Sequence, residues 1–305
     1  MSKTTRPQHV IFPARTGKTK IDVLAYGFRL LGIQVVMDPA LLKQAEKGRI
    51  YPIDFLYEGG RASRAWFDIT ASRYFKRFDL VGGPNDFYFK THLARSDAKK
   101  DPRICAMPQA VSSMRYFECY QDLRKLRSAG RDFDYDVIAM FVNSDDGLRQ
   151  KTVERLHAMK DIRILAKMIE HPRLQDRPTP PPEISGSKLR YAHHLTLQAK
   201  SKICLALPGA WKNGGASISF RHSEVWGIGG VIASIRPGTK MVGNPGNIWI
   251  EFKKDLSDFE DKIYEYLEDD KKREAMGRES AKYWDAVHHP RKVAAYMMDR
   301  IGRTI

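Results

Sequence analysis

Cysteine is scarce in this chain: Cys105, Cys119 and Cys204 are its 3 cysteines in 305 residues, and no CxxC occurs. That argues against a disulfide framework and a thiolate metal site, and the three are expected to be reduced core residues of a cytoplasmic protein. Long apolar runs are also missing. Stretches such as Ile203 to Pro208 and Val231 to Ile235 are far shorter than a membrane span. Behind the N-terminal Met1-Ser-Lys-Thr-Thr-Arg-Pro7 no apolar segment follows, so no secretory signal is expected. Gly17-Lys18-Thr19 follows a strand-like run, but a phosphate-binding P-loop needs glycine where Phe12 stands. His193-His194 and His288-His289 lack a carboxylate or cysteine at ligand spacing, and read as surface or half-buried residues. No divalent metal is demanded, and none is expected.

Negative charge is the other deficit. Asp and Glu total 36 against 52 Lys and Arg, a formal net charge of +16. Such an excess opposes compactness through self-repulsion and points to a polyanionic partner: nucleic acid, an anionic membrane surface or an acidic glycan.

What is present is a regular alternation of strands and helices. His9 to Pro13, Ile33 to Met37, Tyr51 to Tyr57, Asp79 to Gly82 and Arg103 to Met107 read as strands. Thr19 to Leu31, Pro39 to Lys47 and Arg61 to Phe78 read as helices between them. After the charged helical stretch Tyr116 to Arg131 the pattern restarts with the apolar run Asp136 to Val142. Strands Ile162 to Ala166, Ile203 to Leu207, Val231 to Ile235 and Ile248 to Phe252 follow, with closing helices from Leu256 to Ile301. The expected fold class is therefore α/β, with two doubly wound Rossmann-like domains over residues 1–130 and 131–305 facing a central cleft.

The informative stretch is Tyr191 to Ser234. A buried strand runs into small residues (Gly209, Gly214, Gly215, Ser217, Ser219), then into a helix carrying Arg221 and Glu224 in its first turns. Backbone N–H groups at a helix start together with a guanidinium suit a diphosphate, and a carboxylate one turn later suits ribose hydroxyls. The same residues also suit a plain capped helix, with Ser219 as N-cap and Arg221 and Glu224 as a surface ion pair.

The order Tyr191, Leu197, Ser201-Lys202, Leu205, Gly209, Ser219, Arg221, Glu224, Gly229 resembles the donor segment of exostosin-type glycosyltransferases and their bacterial GT-B-class relatives. The resemblance covers the C-terminal half, including His289-Pro290 and the closing helix. It implies a nucleotide-sugar donor, UDP-linked in the first instance, with Arg221 on the diphosphate, Glu224 on the ribose and Arg149 as a second phosphate ligand. Gly209 and Ser219 would line the same donor site. Two features depart from the family pattern: the loop Ala210 to Ile218 is longer, and Val225-Trp226 stands where small residues are usual.

In the N-terminal half, Pro84 to Lys90 resembles an Asp-x-x-Phe-Lys-Arg stretch of the bacterial members. An acceptor hydroxyl needs a carboxylate or histidine to take its proton in an inverting transfer. Asp22, Asp54, Glu58, Asp86 and His92 lie near predicted element ends, with Asp86 ranked first and Glu58 second. The resulting expectation is a metal-independent, cofactor-free glycosyltransferase, cytoplasmic or peripheral on the inner membrane face. Its acceptor would be an anionic membrane-associated glycan or hydroxymethylated phage-type DNA. A non-enzymatic nucleic-acid-binding protein is the alternative, although no zinc finger, recognition-helix module or RNP-type aromatic motif is present.

Overall fold

The computed structural model describes residues 6–14, 19–46, 49–69, 77–108, 117, 119–129, 133–142, 147–169, 185–186, 191–207 and 218–302. The chain forms two compact units: Met1–Arg115 with Gly238–Asn244 and Asp285–Ile305, and Tyr116–Pro237 with Pro245–Trp284.

The first unit holds β1 (His9–Pro13), β2 (Gln34–Asp38), β3 (Ile50–Leu56), β4 (Ala62–Asp68), β5 (Asp86–Lys90) and β6 (Ile104–Ala106), in the order β2-β1-β3-β4-β5-β6. β1 is parallel to β2, and β4, β5 and β6 are parallel, whereas β3 is antiparallel to both neighbours. Five strands therefore run one way with one reversed strand among them. Strand β4 stands in place of the first part of the helix expected over 61–78, of which 70–76 lie outside the described residues. Ser63, Ala65 and Phe67 alternate inward along β4, a period of two that packs on a sheet. Helix-forming alanines and arginines mask that period in the sequence. Gly59 and Gly60, both at φ 77°, turn the chain from β3 into β4.

Helix α1 (Thr19–Leu30) buries Ile21, Leu24 and Phe28 on the sheet; α2 (Pro39–Lys43) follows β2. The last helix of the chain, α9 (Pro290–Gly302), joins this same core through Val293, Ala294, Met297 and Ile301. Its backbone comes so close to α1 that a Cβ on Gly27 would lie 2.2 Å from the Pro290 carbonyl oxygen.

In the second unit, β7 (Tyr135–Val142), β8 (Ile164–Ile169), β9 (Ser185–Gly186), β10 (Ser201–Leu205), β11 (Val231–Ile235) and β12 (Trp249–Phe252) take the order β12-β11-β10-β7-β8-β9. All five pairings are parallel, which explains the nearly continuous apolar runs of β7 and β11. Its helices are α3 (Cys119–Ala129), α4 (Leu148–Ala158), α5 (Tyr191–Ala199), α6 (Phe220–Gly227), α7 (Phe259–Glu268) and α8 (Asp270–Tyr283).

Helix α3 is tied to this unit by two arginines. Arg124 Nε donates to the Gly227 carbonyl at 2.6 Å. Arg127 donates to the carbonyls of Ser201, Lys202 and Gly229 at 2.5, 3.1 and 3.0 Å, with the Ala199 carbonyl at 3.3 Å. These cations sit at the C-terminal ends of α5 and α6, where carbonyl groups lack helical partners.

Gly27→Ala should destabilise the chain by about 1–3 kcal/mol, because α1 and α9 must separate to admit a methyl group. A thermal melt against wild type measures it, and an unchanged midpoint would contradict the packing.

Candidate functional site

In the second sheet the chain passes from β7 outward to β8 and β9, then returns to the other side of β7 with β10. The order thus reverses between β7 and β10, and open parallel sheets bind ligands beyond the strand C-termini at such a switch point. Arg149, in the first turn of α4, spans it. Its guanidinium donates to the carbonyl of Val142, at the end of β7, and to that of Leu207, just past β10, each at 2.9 Å. It also lies over the Phe141 ring. In the described structure the expected phosphate ligand thus holds two strand ends together.

The chain reaches α6 next. Ser219 is its N-cap, in extended conformation. The Ser219 backbone N–H donates to His222 Nδ1 at 3.2 Å. His222 Nε2 then carries the ring proton and donates to Ser234 Oγ at 3.2 Å. Ser234 Oγ donates in turn to the Ala206 carbonyl at 2.6 Å. This buried chain fastens the start of α6 to the ends of β10 and β11. Ser-x-x-His in place of Ser-x-x-Glu is the sequence signal that could have disclosed it.

Arg221 lies half-buried in the first turn of α6 and donates to His194 Nε2 at 2.9 Å. Burial, then Arg221 and His193, push the His194 pKa down to about 3, so the ring is a neutral acceptor that orients the guanidinium. Reading His193-His194 as a half-buried pair hid this contact. Glu224, one turn on, is fully buried. Val225 and Trp226, the departures from the family pattern, are core residues. Trp226 donates to the Ile248 carbonyl at 3.2 Å and meets Tyr283 edge-on. Gly209 and most of the loop before α6 lie outside the described residues.

The two acceptor-side candidates fall at the other end of their sheet. Asp86 is the first residue of β5, and it accepts from the Gly83 N–H at 2.7 Å. Glu58 is exposed in the turn from β3 to β4. Both therefore lie where β4 and β5 begin, whereas ligands approach such sheets where strands end. An expected helix over 61–78 carries no strand direction, so this edge is not legible from the residues. At the ending edge stand Asp68, Lys90 and His92. Lys90 Nζ and Tyr88 Oη donate to Asp68 Oδ2 at 2.6 and 2.8 Å. Burial, then Lys20 and Lys90, push the His92 pKa down to about 3.

The metal-free expectation rests in part on the absence of an Asp-x-Asp pair, yet Asp132-Phe133-Asp134-Tyr135-Asp136 contains that spacing twice, and such spacing can hold a divalent cation. Asp134 pairs with Lys200, and Asp136 with Arg163 and Lys202, at the start of β7. Among the described residues, no group of three or more His, Cys, Asp or Glu is arranged to hold a metal. Near that same edge a crevice of ≈ 730 Å³ is lined by Arg124, Arg127 and Arg273. These guanidiniums are engaged by backbone carbonyls, Arg273 by those of Tyr266 and Leu267.

Residues 149–299 match the glycosyl transferase-like family, a span that opens at Arg149 and takes in Ser219, Arg221 and Glu224. Asp86 and Glu58 lie outside the match. No curated protein matches the chain. Among solved structures, the N-terminal domain of Candida albicans trehalose-6-phosphate phosphatase is similar with TM-score 0.45 and 10% identity, over 67% of this chain and 50% of that one. WaaG, a glycosyltransferase of lipopolysaccharide biosynthesis, gives 0.45 and 13% over 72% and 64%. The GtfA/B complex gives 0.41 and 10% over 74% and 48%. This chain thus spans about half to two thirds of the structures it matches.

The two neutral histidines set an acid limit on stability. In the unfolded chain each takes a proton near its ordinary 6.5, but in the folded chain only near 3. The unfolded state therefore holds more protons between those values, so stability is complete above about 6.5 and falls as pH drops towards 3. Denaturant unfolding from pH 7 to 4 should show this slope, and His194→Asn should flatten it. An equal slope in the variant would contradict the buried neutral ring.

Proposed function

We propose that this chain is a nucleotide-sugar-dependent glycosyltransferase whose donor diphosphate binds at the β7–β10 switch point. The observation that carries the reading is the convergence at that point of a helix start and a guanidinium. The first turn of α6 offers N–H groups, and Arg221, held by a neutral histidine, offers a fork suited to phosphate oxygens. Arg149 fixes the two strand ends beneath the phosphates and adds positive potential. Glu224 is assigned to the ribose hydroxyls, and Gly209 to the same donor site. A UDP-linked hexose is the first donor to test. Charge on the leaving diphosphate is stabilised by Arg221 and the α6 dipole, so no metal is assigned a role. The acceptor is assigned to the unit that contains β1 to β6, at the edge where β4 and β5 end.

The net charge of +16 supports a polyanionic acceptor, either an anionic membrane-associated glycan or DNA. Among the N-terminal cations that a polyanion could meet, Arg61 is exposed, Arg64 pairs with Asp54 and Arg77 with Glu46 and Asp79; Lys18, Arg73 and Lys76 lie outside the described residues.

Arg221→Ala should lower transfer, or slow donor hydrolysis, by about 100-fold or more while the protein stays folded, and Glu224→Ala should raise the donor KM. Activity should persist in EDTA. Near-normal turnover of Arg221→Ala would refute the donor site, and loss in EDTA restored by Mg²⁺ or Mn²⁺ would refute the metal-free reading.

A salt series separates the acceptors. With DNA, log affinity should fall linearly with log salt, by about 0.9 per phosphate contact. With a glycan acceptor, anionic vesicles should bind and DNA should not. Binding to neither would leave the charge without an acceptor role.

A further inference from the structure

Where the strands of the second sheet begin, the crevice of ≈ 730 Å³ is a feature for which donor binding has no use. Its volume lies in the range that takes a small organic ligand. One wall is a single face of α8, on which Asp270, Arg273, Glu274, Gly277, Arg278 and Ala281 recur at helical spacing. Phe133, just before β7, and Ile228 and Gly229, just after α6, line it as well. So does Arg127 of α3, whose guanidinium carbon lies 5.0 Å from the centre of the Phe133 ring.

The charges around the crevice are unequally matched. Arg273 pairs with Asp270, and Lys202 with Asp136. Arg278 is largely exposed at the mouth and meets Glu274 only at 3.5 Å. Among the described residues Arg127 has no carboxylate partner. Its Nε donates to the Gly229 carbonyl, its Nη1 to that of Ser201 and its Nη2 to that of Lys202. Nη2 carries two hydrogens, so one N–H remains without an acceptor among the described residues. The side chain is half-buried, hence reachable from the crevice. Burial and the charge of Arg273 both push its pKa down. A desolvated cation met only by carbonyl dipoles gains from an anion.

Two features select the kind of anion. The Ala199 and Gly229 carbonyls, both on Arg127, stand at the C-terminal ends of α5 and α6, where the helix dipoles are negative. A phosphate with two or three charges is repelled there, whereas a single charge is answered by one guanidinium. Phe133, Ile228 and Ala281 add an apolar wall, which an organic ligand covers and a bare ion leaves wet. We infer that this crevice binds a monocarboxylate with an apolar body, the carboxylate on Arg127 and the body against Phe133, Ile228 and Ala281. The site adjoins the C-terminal end of α6 and the donor reading uses the other end, about 12 Å away along an eight-residue helix. The inference therefore stands or falls separately from the donor site.

The test is a series of thermal melts of the full chain with benzoate as the probe. Benzamide serves as its neutral isostere, and inorganic phosphate as an anion without an apolar body. Arg221→Ala is the background throughout, so that the guanidinium at the start of α6 contributes nothing. Saturating benzoate should raise the midpoint by about 2 °C or more, and benzamide and phosphate by less than half as much. Ala281→Phe, which fills the crevice, should abolish the benzoate response. Arg278→Glu, a change at an exposed position, should raise the half-saturating benzoate concentration about threefold or more. It decides the matter if Ala281→Phe does not fold. No response to benzoate, an equal response to benzamide, a larger one to phosphate, or an unchanged one in either variant would each overturn the site.

Discussion

A neutral imidazole holds the start of α6 in place. His222 accepts from the Ser219 N–H on one side and donates to Ser234 on the other, and Ser234 passes the connection to the carbonyl after β10. Without that chain the first turn of α6 would have no fixed relation to the strand ends beside it. The direction of the Arg221 guanidinium depends on that turn and on His194, also held neutral by burial. Both histidines act as acceptors, and protonation would abolish the acceptor in each case.

The second sheet uses arginine in two ways. At the edge where strands begin, Arg127 is surrounded by main-chain carbonyls, and Arg124 and Arg273 are similarly engaged. Carbonyl dipoles at helix C-termini stand in for carboxylates there, so part of the basic excess is structural. At the edge where strands end, Arg221 stays half-buried at a helix start, next to a switch point. Net charge alone therefore overstates what a polyanion meets. The individual partners, rather than the total, decide which cations remain for a ligand.

Much of this was legible in the residues. The apolar runs of β7, β10 and β11 gave the parallel second sheet, since strands buried on both faces have to be apolar throughout. The Ser219, Arg221, Glu224 order located the α6 turn within the span that matches the glycosyltransferase-like family. The first sheet was harder. Ala62 to Asp68 begins with the helix-forming residues Ala62, Arg64 and Ala65, and two of its three inward positions are a serine and an alanine, with Phe67 the third. Reading it as a helix concealed strand direction, and with it the fact that Asp86 and Glu58 lie where strands begin. His194 was hidden for another reason: its partner Arg221 is distant in sequence.

The central claim is the position of the donor diphosphate, and a structure of the chain with a bound nucleoside diphosphate tests it most directly. The account predicts phosphate density at the N-terminus of α6, within hydrogen-bonding distance of Arg221 and above the Val142 and Leu207 carbonyls bridged by Arg149. Density instead in the crevice beside Arg127 and Arg273, where β7 and β10 begin, would contradict it.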